Sequence, residues 1–311
     1  MRTIYCRFLV VVVLLLTGIL AVQSSPQMRP KYSEWSTPVN MGYPVNTGEH
    51  DVQPSISKDG LSLYFVRSPL GGKELDIWVS QREDENAPWG LPMILGSAIN
   101  SASDGSPALT RDQHWLLFHS NRAGGQGGFD LMASYRENIH DDFGWQTPVN
   151  LAVLNSKFND AGATYFEGGE LGVAELYFGS NRLTGIPGAF DIYVSRVTGD
   201  GTFGLPELVP ELSSPYSDQR PQISHDGRAI LFQSDRPGGK GDVDIWVSTR
   251  PSVLEPWTTP INLEGVNSEY SEQMPTISSD GMALIFMSDR PGGFGGGDLW
   301  FCTRTKLRGE Q

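Results

Sequence analysis

Short apolar segments recur along the chain, separated by residues rich in glycine, proline, asparagine and aspartate. Two examples are residues 61–65 (LSLYF) and 229–232 (AILF). Short runs that are continuously apolar, or that alternate with polar residues between turn formers, are typical of β-strands. Apart from the N-terminal apolar segment, no stretch keeps a helical hydrophobic period over three turns. The pattern therefore predicts an all-β chain.

The apolar segments fall into five copies of one unit. Each copy contains an aromatic residue three positions before a proline, at spacings of 54, 56, 58 and 54 residues: Trp35, Trp89, Trp145, Phe203 and Trp257. Each copy has room for four short strands, and four-stranded units at this period are typical of β-propeller blades. One blade cannot cover its own apolar faces, whereas neighbours stacked around an axis can. We predict a single five-bladed β-propeller over residues 35–304.

The points at which the first copy begins and the last copy ends predict how the ring closes. The strand near Trp35 precedes the first complete copy, and the chain ends shortly after the third strand of the fifth copy, at residues 301–303. The N-terminal strand is therefore expected to complete the last blade as its outermost strand. Residues 25–34 are expected to form a short linker and residues 305–311 a C-terminal tail.

The repeat resembles a known family. Residues 221–227 (PQISHDG), 233–239 (QSDRPGG) and 244–248 (DIWVS) look like the WD40-like repeats called PD40, which form the propeller of TolB-type periplasmic proteins. The resemblance covers all five copies, and it implies a propeller whose mouth engages a peptide or protein partner. The chain lacks the extra domain of TolB itself. Propellers host binding and catalysis alike, so the resemblance does not fix the function.

The first residues have the pattern of a secretory signal peptide. A basic start with Arg2 and Arg7 is followed by an apolar run and then by residues 23–26 (QSSP). The apolar run is shorter than a comfortable membrane span. We expect residues 1–24 to be a signal peptide and the protein to be periplasmic or secreted, with no membrane span after cleavage. Cleavage would remove Cys6, so that Cys302 is the only thiol and no internal disulfide forms.

The net charge of the chain limits the kinds of molecule that it can bind. The chain has 23 basic and 36 acidic side chains and a formal charge of −13. So acidic a surface repels phosphate backbones, which argues against a nucleic-acid partner. A peptide, a protein or a carbohydrate remains as the ligand. We expect a monomer without a cofactor.

Each copy carries an arginine after its second strand, a glycine-rich loop, and an aspartate that begins its third strand. Because they recur in every copy, we interpret the arginine and the aspartate as a structural ion pair. A calcium ion at Asp242 and Asp244 is a weaker alternative, and none of the five histidines has metal-ligand spacing. We therefore predict no metal site. The arginines are Arg67, Arg122, Arg182, Arg236 and Arg290, and the aspartates are Asp76, Asp130, Asp191, Asp244 and Asp298.

An acid precedes the first strand of every copy at one fixed offset. A propeller places the first strands around its channel, so the five carboxylates would meet at one mouth. We predict a ligand site there, formed by the acids with neighbouring amides, one arginine and three aromatic residues. The alternative is that the acids accept hydrogen bonds from backbone N–H groups at the turn. The predicted site comprises Asp51, Asp104, Asp160, Asp218 and Glu272 with Gln53, Gln219, Arg220, Gln273, Phe158, Tyr216 and Tyr270.

Two functions remain open at this point. The first is an exported binding or scaffold propeller that recognises a peptide, protein or glycan at the acidic channel mouth. The alternative is a carbohydrate-active enzyme, a glycoside hydrolase or lyase that uses channel carboxylates. Repeat-encoded acids start out equivalent, whereas a catalytic acid and base need different environments, which favours the first function. No catalytic residue can be assigned from the sequence.

Overall fold

The computed structural model describes residues 32–72, 74–168, 172–186, 188–198 and 201–307. The predicted signal peptide lies outside these residues. Within them, no helix is both long and apolar enough to cross a membrane.

The described chain forms twenty strands in five four-stranded antiparallel sheets. Blade 1 contains β2 (His50–Ile56), β3 (Ser62–Ser68), β4 (Asp76–Gln81) and β5 (Met93–Ile94). Blade 2 contains β6 (Asp104–Leu109), β7 (Trp115–Ser120), β8 (Asp130–Tyr135) and β9 (Val149–Asn150). Blade 3 contains β10 (Asp160–Glu167), β11 (Ala174–Ser180), β12 (Asp191–Arg196) and β13 (Glu207–Leu208). Blade 4 contains β14 (Asp218–Ile223), β15 (Ala229–Ser234), β16 (Asp244–Thr249) and β17 (Ile261–Asn262).

Blade 5 confirms the predicted closure of the ring. It contains β18 (Glu272–Ile277), β19 (Ala283–Ser288) and β20 (Asp298–Thr303), and its outermost strand is β1 (Val39–Asn40) from the other end of the chain. Val39 pairs with Phe301, and Asn40 pairs with Trp300. The prediction of a five-bladed, all-β propeller is thereby confirmed.

The first strand of each blade contacts the first strand of the next, and β18 contacts β2, so that these five strands surround the axis. They all begin on one face of the ring, which also carries the glycine-rich loops. They all end on the opposite face in hairpin turns. We call these the loop face and the turn face.

The hydrophobic core is divided among the five blade junctions. One cluster joins blades 1 and 2 and contains Tyr64, Ile77, Phe118 and Trp145, and a matching cluster joins blades 3 and 4. Three further clusters join the other neighbours, including blades 5 and 1. The core thus depends on a closed ring, as expected for units that cannot bury their faces alone.

Every inner strand contains a β-bulge two residues after its first acid. In blade 1, Gln53 and Pro54 together oppose one residue of β3, because the pairing shifts between Val52 and Ser55. A proline is tolerated here because the bulged residues make no ladder hydrogen bond. The residue before the proline position takes a positive φ in all five blades, at Gln53, Ser106, Gly162, Arg220 and Met274.

Candidate functional site

The five acids that begin the inner strands are buried, with no exposed side-chain surface. Each is paired with the repeated arginine of its own blade at a nitrogen–oxygen distance of 2.5–2.8 Å. The repeated arginine thus forms an ion pair in every blade, but its partner is this acid and not the aspartate that begins the third strand. The pairs are Asp51–Arg67, Asp104–Arg122, Asp160–Arg182, Asp218–Arg236 and Glu272–Arg290.

The same carboxylates also hold the turn that precedes each inner strand. The backbone N–H of Thr47 donates to Asp51 at 2.7 Å, and that of Ser101 donates to Asp104 at 2.8 Å. Asp160 and Glu272 accept equivalent bonds from Ser156 and Ser268. The acids are therefore neutralised in place, and the loop-face mouth does not carry the bare ring of negative charge expected from the sequence.

Arg236→Ala is expected to destabilise the protein by about 1–3 kcal/mol, because Asp218 would stay buried without its ion-pair partner. Arg228→Ala is the matched control, since Arg228 lies on the exposed surface of the same blade. Chemical denaturation of the two variants measures the difference. Equal stability of both variants would show that the pair contributes nothing to the fold.

The aspartate that begins the third strand has a separate structural role. Asp244 accepts hydrogen bonds from the backbone N–H groups of Lys240 and Gly241 and from the side-chain amide of Asn262. Asp130 makes the equivalent bonds in blade 2. Of the two aspartates considered for calcium, Asp244 therefore already has protein donors on both carboxylate oxygens. Among the described residues, no group of three metal-ligating side chains is present.

The remaining residues of the sequence-predicted site are dispersed. Gln53 and Arg220 line a narrow cavity on the axis, whereas Gln219 and Gln273 are half-buried in their strands. Phe158 is half-buried against Gly185, and Tyr216 and Tyr270 are exposed on the loop face. A ligand role for this set stays a prediction. Burial raises the pKa of the Cys302 thiol to about 12, which makes it a poor nucleophile.

The structure reveals a second set of repeated arginines that the sequence analysis missed. Each follows the third strand of its blade, stacks on the aromatic residue of the repeat at 4.3–4.5 Å, and donates to a carbonyl oxygen of the hairpin turn at 2.7–2.9 Å. A signal was available, because a tryptophan follows three of these arginines after seven to nine residues. The set is Arg82, Arg136, Arg250 and Arg304.

Two of these arginines belong to buried polar clusters that join neighbouring blades. Arg136 of blade 2 pairs with Asp142 at 2.6 Å, and the hydroxyl of Tyr64 in blade 1 donates to the same carboxylate at 2.5 Å. Burial and the nearby Asp142 carboxylate raise the pKa of Tyr64. In the second cluster, Arg250 of blade 4 pairs with Glu175 of blade 3 at 2.8 Å. We call these the Arg136 cluster and the Arg250 cluster.

The turn face has a central pocket of about 100 Å³ to which all five blades contribute. We call it the turn-face mouth. It is lined by Tyr165 and Glu167 of blade 3, Arg111 of blade 2, Lys58 of blade 1 and His225 of blade 4. These side chains differ from blade to blade, unlike the repeated acids of the inner strands.

Charged groups at this mouth act on two titratable side chains. Burial raises the pKa of Tyr165, and the carboxylates of Glu167 and Asp112 raise it further. Partial burial, together with Arg111 and Lys58, lowers the pKa of His225. At neutral pH, Tyr165 is therefore a protonated hydroxyl and His225 an uncharged imidazole.

A larger pocket of about 380 Å³ lies on the turn-face side, where blades 1 and 2 meet. Its lining includes Asp59, Arg82, Glu83, Arg136 and His140. Asp59 is held by its own turn, since it accepts from the Ser57 hydroxyl at 2.6 Å. This pocket lies away from the axis and involves only two blades.

The fold is similar to that of several solved glycoside hydrolases. An endo-arabinase from Bacteroides thetaiotaomicron is 18% identical with a TM-score of 0.57, covering 90% of this chain and 99% of that one. An α-L-arabinofuranosidase from Podospora anserina in complex with cellotriose is 12% identical with a TM-score of 0.57, covering 89% and 98%. A thermostable family-43 glycoside hydrolase is 15% identical with a TM-score of 0.56, covering 86% and 93%. No protein-family model and no curated protein matches the chain.

These comparisons correct the main functional expectation. At such low identities they show the five-bladed fold and not a TolB-type protein in particular. The solved structures that share the fold are glycoside hydrolases, and this finding contradicts the expectation of an exported binding or scaffold propeller. The structure also removes the acidic mouth on which the binding function depended, because those acids are buried beside arginines.

Proposed function

We propose that this protein is a glycoside hydrolase whose active site is the turn-face mouth, with Glu167 and Asp112 as its carboxylate pair. The observation that carries the proposal is a mouth lined by every blade, where Glu167 and Tyr165 stand in the lining. Asp112 follows the lining residue Arg111 and lies near enough to Tyr165 for its carboxylate to raise the pKa of that hydroxyl. Glycoside hydrolysis requires two carboxyl groups near the scissile bond.

The two carboxylates meet the requirement for unequal environments. Asp112 is fixed by its turn, where it accepts from the Thr110 hydroxyl at 2.6 Å and from the backbone N–H of His114 at 3.1 Å. Glu167 is exposed at the end of β10, the only eight-residue inner strand of the described chain. An immobilised carboxylate suits the base or nucleophile, which leaves the longer Glu167 side chain as the acid that protonates the leaving group.

The neighbouring side chains suit a polyhydroxylated substrate. The Tyr165 hydroxyl and the neutral His225 imidazole can each donate to and accept from sugar hydroxyl groups. Lys58 and Arg111 add positive charge, which would bind an acidic sugar. Carboxylates, hydroxyls and an aromatic ring in one concave site are typical of small-ligand pockets.

The substrates to test first are arabinans and arabinofuranosides, because the similar enzymes are described as an arabinase and an arabinofuranosidase. Export to the periplasm or the medium, expected from residues 1–24, is part of the proposal because it would bring the enzyme to extracellular polysaccharide. A PD40-type origin of the blades is compatible with it, since repeat type does not determine activity.

Glu167→Gln and Asp112→Asn are each expected to lower the rate of reducing-end release from the active substrate by about 100-fold or more, because each removes one acid–base group. The measurement compares the variants with the wild-type protein on arabinan, arabinofuranosides and a uronic-acid polymer. Absorbance of an unsaturated product distinguishes a lyase.

Asp59→Asn and Glu83→Gln serve as matched controls. Asp59 has the same turn position in blade 1 as Asp112 has in blade 2, and both controls line the larger pocket instead of the turn-face mouth. The controls are expected to keep full activity. Wild-type activity in the mouth variants, or loss of activity in the controls, would contradict the proposed site.

A further inference from the structure

Among the described residues, one arginine on the propeller axis has no hydrogen-bond or ion-pair partner. Arg220 occupies the bulge of β14 and lines the cavity between the inner strands. Its Nη1 atom is shielded from solvent and has no hydrogen-bond partner. It also takes no part in the ion pairs of the described residues. Arg220 as a whole is half-buried, and a charge that is partly removed from water without a counter-charge is unfavourable.

The surrounding residues make room for this side chain but do not neutralise it. A Cβ atom at Gly162, the equivalent position of blade 3, would lie 2.7 Å from Cδ of Arg220. The titratable group that Arg220 affects is His119, whose pKa is lowered well below its usual value by burial and by Arg220 itself. His119 is therefore uncharged at neutral pH. Burial lowers the pKa of Arg220 to about 10, so that the guanidinium stays charged under the same conditions.

Gln53 offers a hydrogen-bond donor in the cavity that Arg220 lines. The side-chain oxygen of Gln53 accepts from the backbone N–H of Ser106 at 2.5 Å and from its hydroxyl at 3.3 Å. The amide group of Gln53 is thereby oriented, and its NH₂ end is left as a donor. Met274 and the neighbouring prolines supply apolar walls.

The volume of the cavity limits the size of the anion that it can hold. The volume of the cavity is about 30 Å³, and a single water molecule needs roughly 10–15 Å³. So narrow a cavity favours a small ion over a phosphate, a sulfate or a sugar. We propose that the axis binds a monatomic monovalent anion, chloride, through the guanidinium of Arg220 and the side-chain NH₂ group of Gln53.

The proposal predicts a chloride-specific stabilisation. With sodium chloride exchanged for sodium gluconate at constant ionic strength, the melting temperature of the wild-type protein is expected to rise saturably with chloride. At about 100 times the dissociation constant, the ratio of folded to unfolded protein should increase ~100-fold. In Arg220→Met this response should disappear. Methionine suits the site because Met274 holds the equivalent position with the same positive φ.

Arg228→Met is the matched control, because Arg228 is exposed on the same blade, and it should respond to chloride as the wild-type protein does. Crystals of the wild-type protein grown in bromide should show one anomalous peak on the axis. Equal stability of the wild-type protein in the two salts, a chloride response retained by Arg220→Met, or no axial bromide peak would overturn the proposal. The bromide test needs no variant, so it decides the matter even where Arg220→Met fails to fold.

Discussion

A chain that lacks the residues up to Asn40 is expected to be less stable than the full propeller by about 5 kcal/mol. The deletion removes β1 and Trp35, which stacks on Arg304 at 4.3 Å and packs against the core between blades 4 and 5. Burying an aromatic side chain contributes ~2–3 kcal/mol, and each backbone hydrogen bond contributes ~1 kcal/mol. Backbone bonds from residues 33 and 36 to the end of the chain would be lost as well.

The exposed edge of β20 should also make the truncated protein aggregate, because an unpaired strand is a template for another chain. Urea denaturation and light scattering measure the two effects. A chain that begins at residue 32 keeps β1 and provides the control. An unchanged melting temperature after removal of β1 would show that the ring does not depend on its closing strand.

Asp142→Ala is expected to destabilise the protein by about 3–5 kcal/mol, the usual effect of leaving a buried charge without its partner. Arg136 is 1% exposed and Asp142 2% exposed, so water cannot compensate for the lost carboxylate. Thermal and chemical denaturation measure the loss. The double substitution Arg136→Met with Asp142→Leu should recover part of it, because no isolated charge then remains.

Glu207→Ala supplies the comparison at the surface. Glu207 pairs with Arg196 at 2.8 Å, but its side chain is 68% exposed, and such pairs contribute ~0–1 kcal/mol. If Asp142→Ala were as mild as Glu207→Ala, the Arg136 cluster would not stabilise the junction between blades 1 and 2.

The fold could be predicted because the sequence pattern that specifies one blade occurs five times. Five copies of one hydrophobic pattern determine the number of blades, and the position of Trp35 before the first copy determines the closure. The aromatic residue itself lies outside the outer strand. In blade 5, β1 begins at Val39, while Trp35 lies upstream and packs on Arg304.

The site was less predictable because repetition fixes the height of a residue in the ring but not the direction of its side chain. The offset correctly placed Asp51 and its equivalents at the start of the inner strands. The bulge two residues later breaks the alternation of the strand, so the axis is lined by Gln53 and its equivalents instead. The acids of the Arg136 and Arg250 clusters have no repeated counterpart. Asp142 follows Arg136 within the same blade, whereas only the contact between blades 3 and 4 brings Glu175 to Arg250.

Because of the bulge in each inner strand, the residues that must stay constant and the residue that can vary occupy different positions. The ladder residues and the Asp–Arg pairs must stay the same for the blades to stack, and they recur with little change. The bulged residue makes no ladder bond, so its side chain can differ between blades without disturbing the pairing on either side. Glutamine, serine, glycine, arginine and methionine occupy the five positions. Duplication of a single ancestral blade would leave these five positions free to diversify one at a time, so an axial binding site could evolve while the scaffold stays constant.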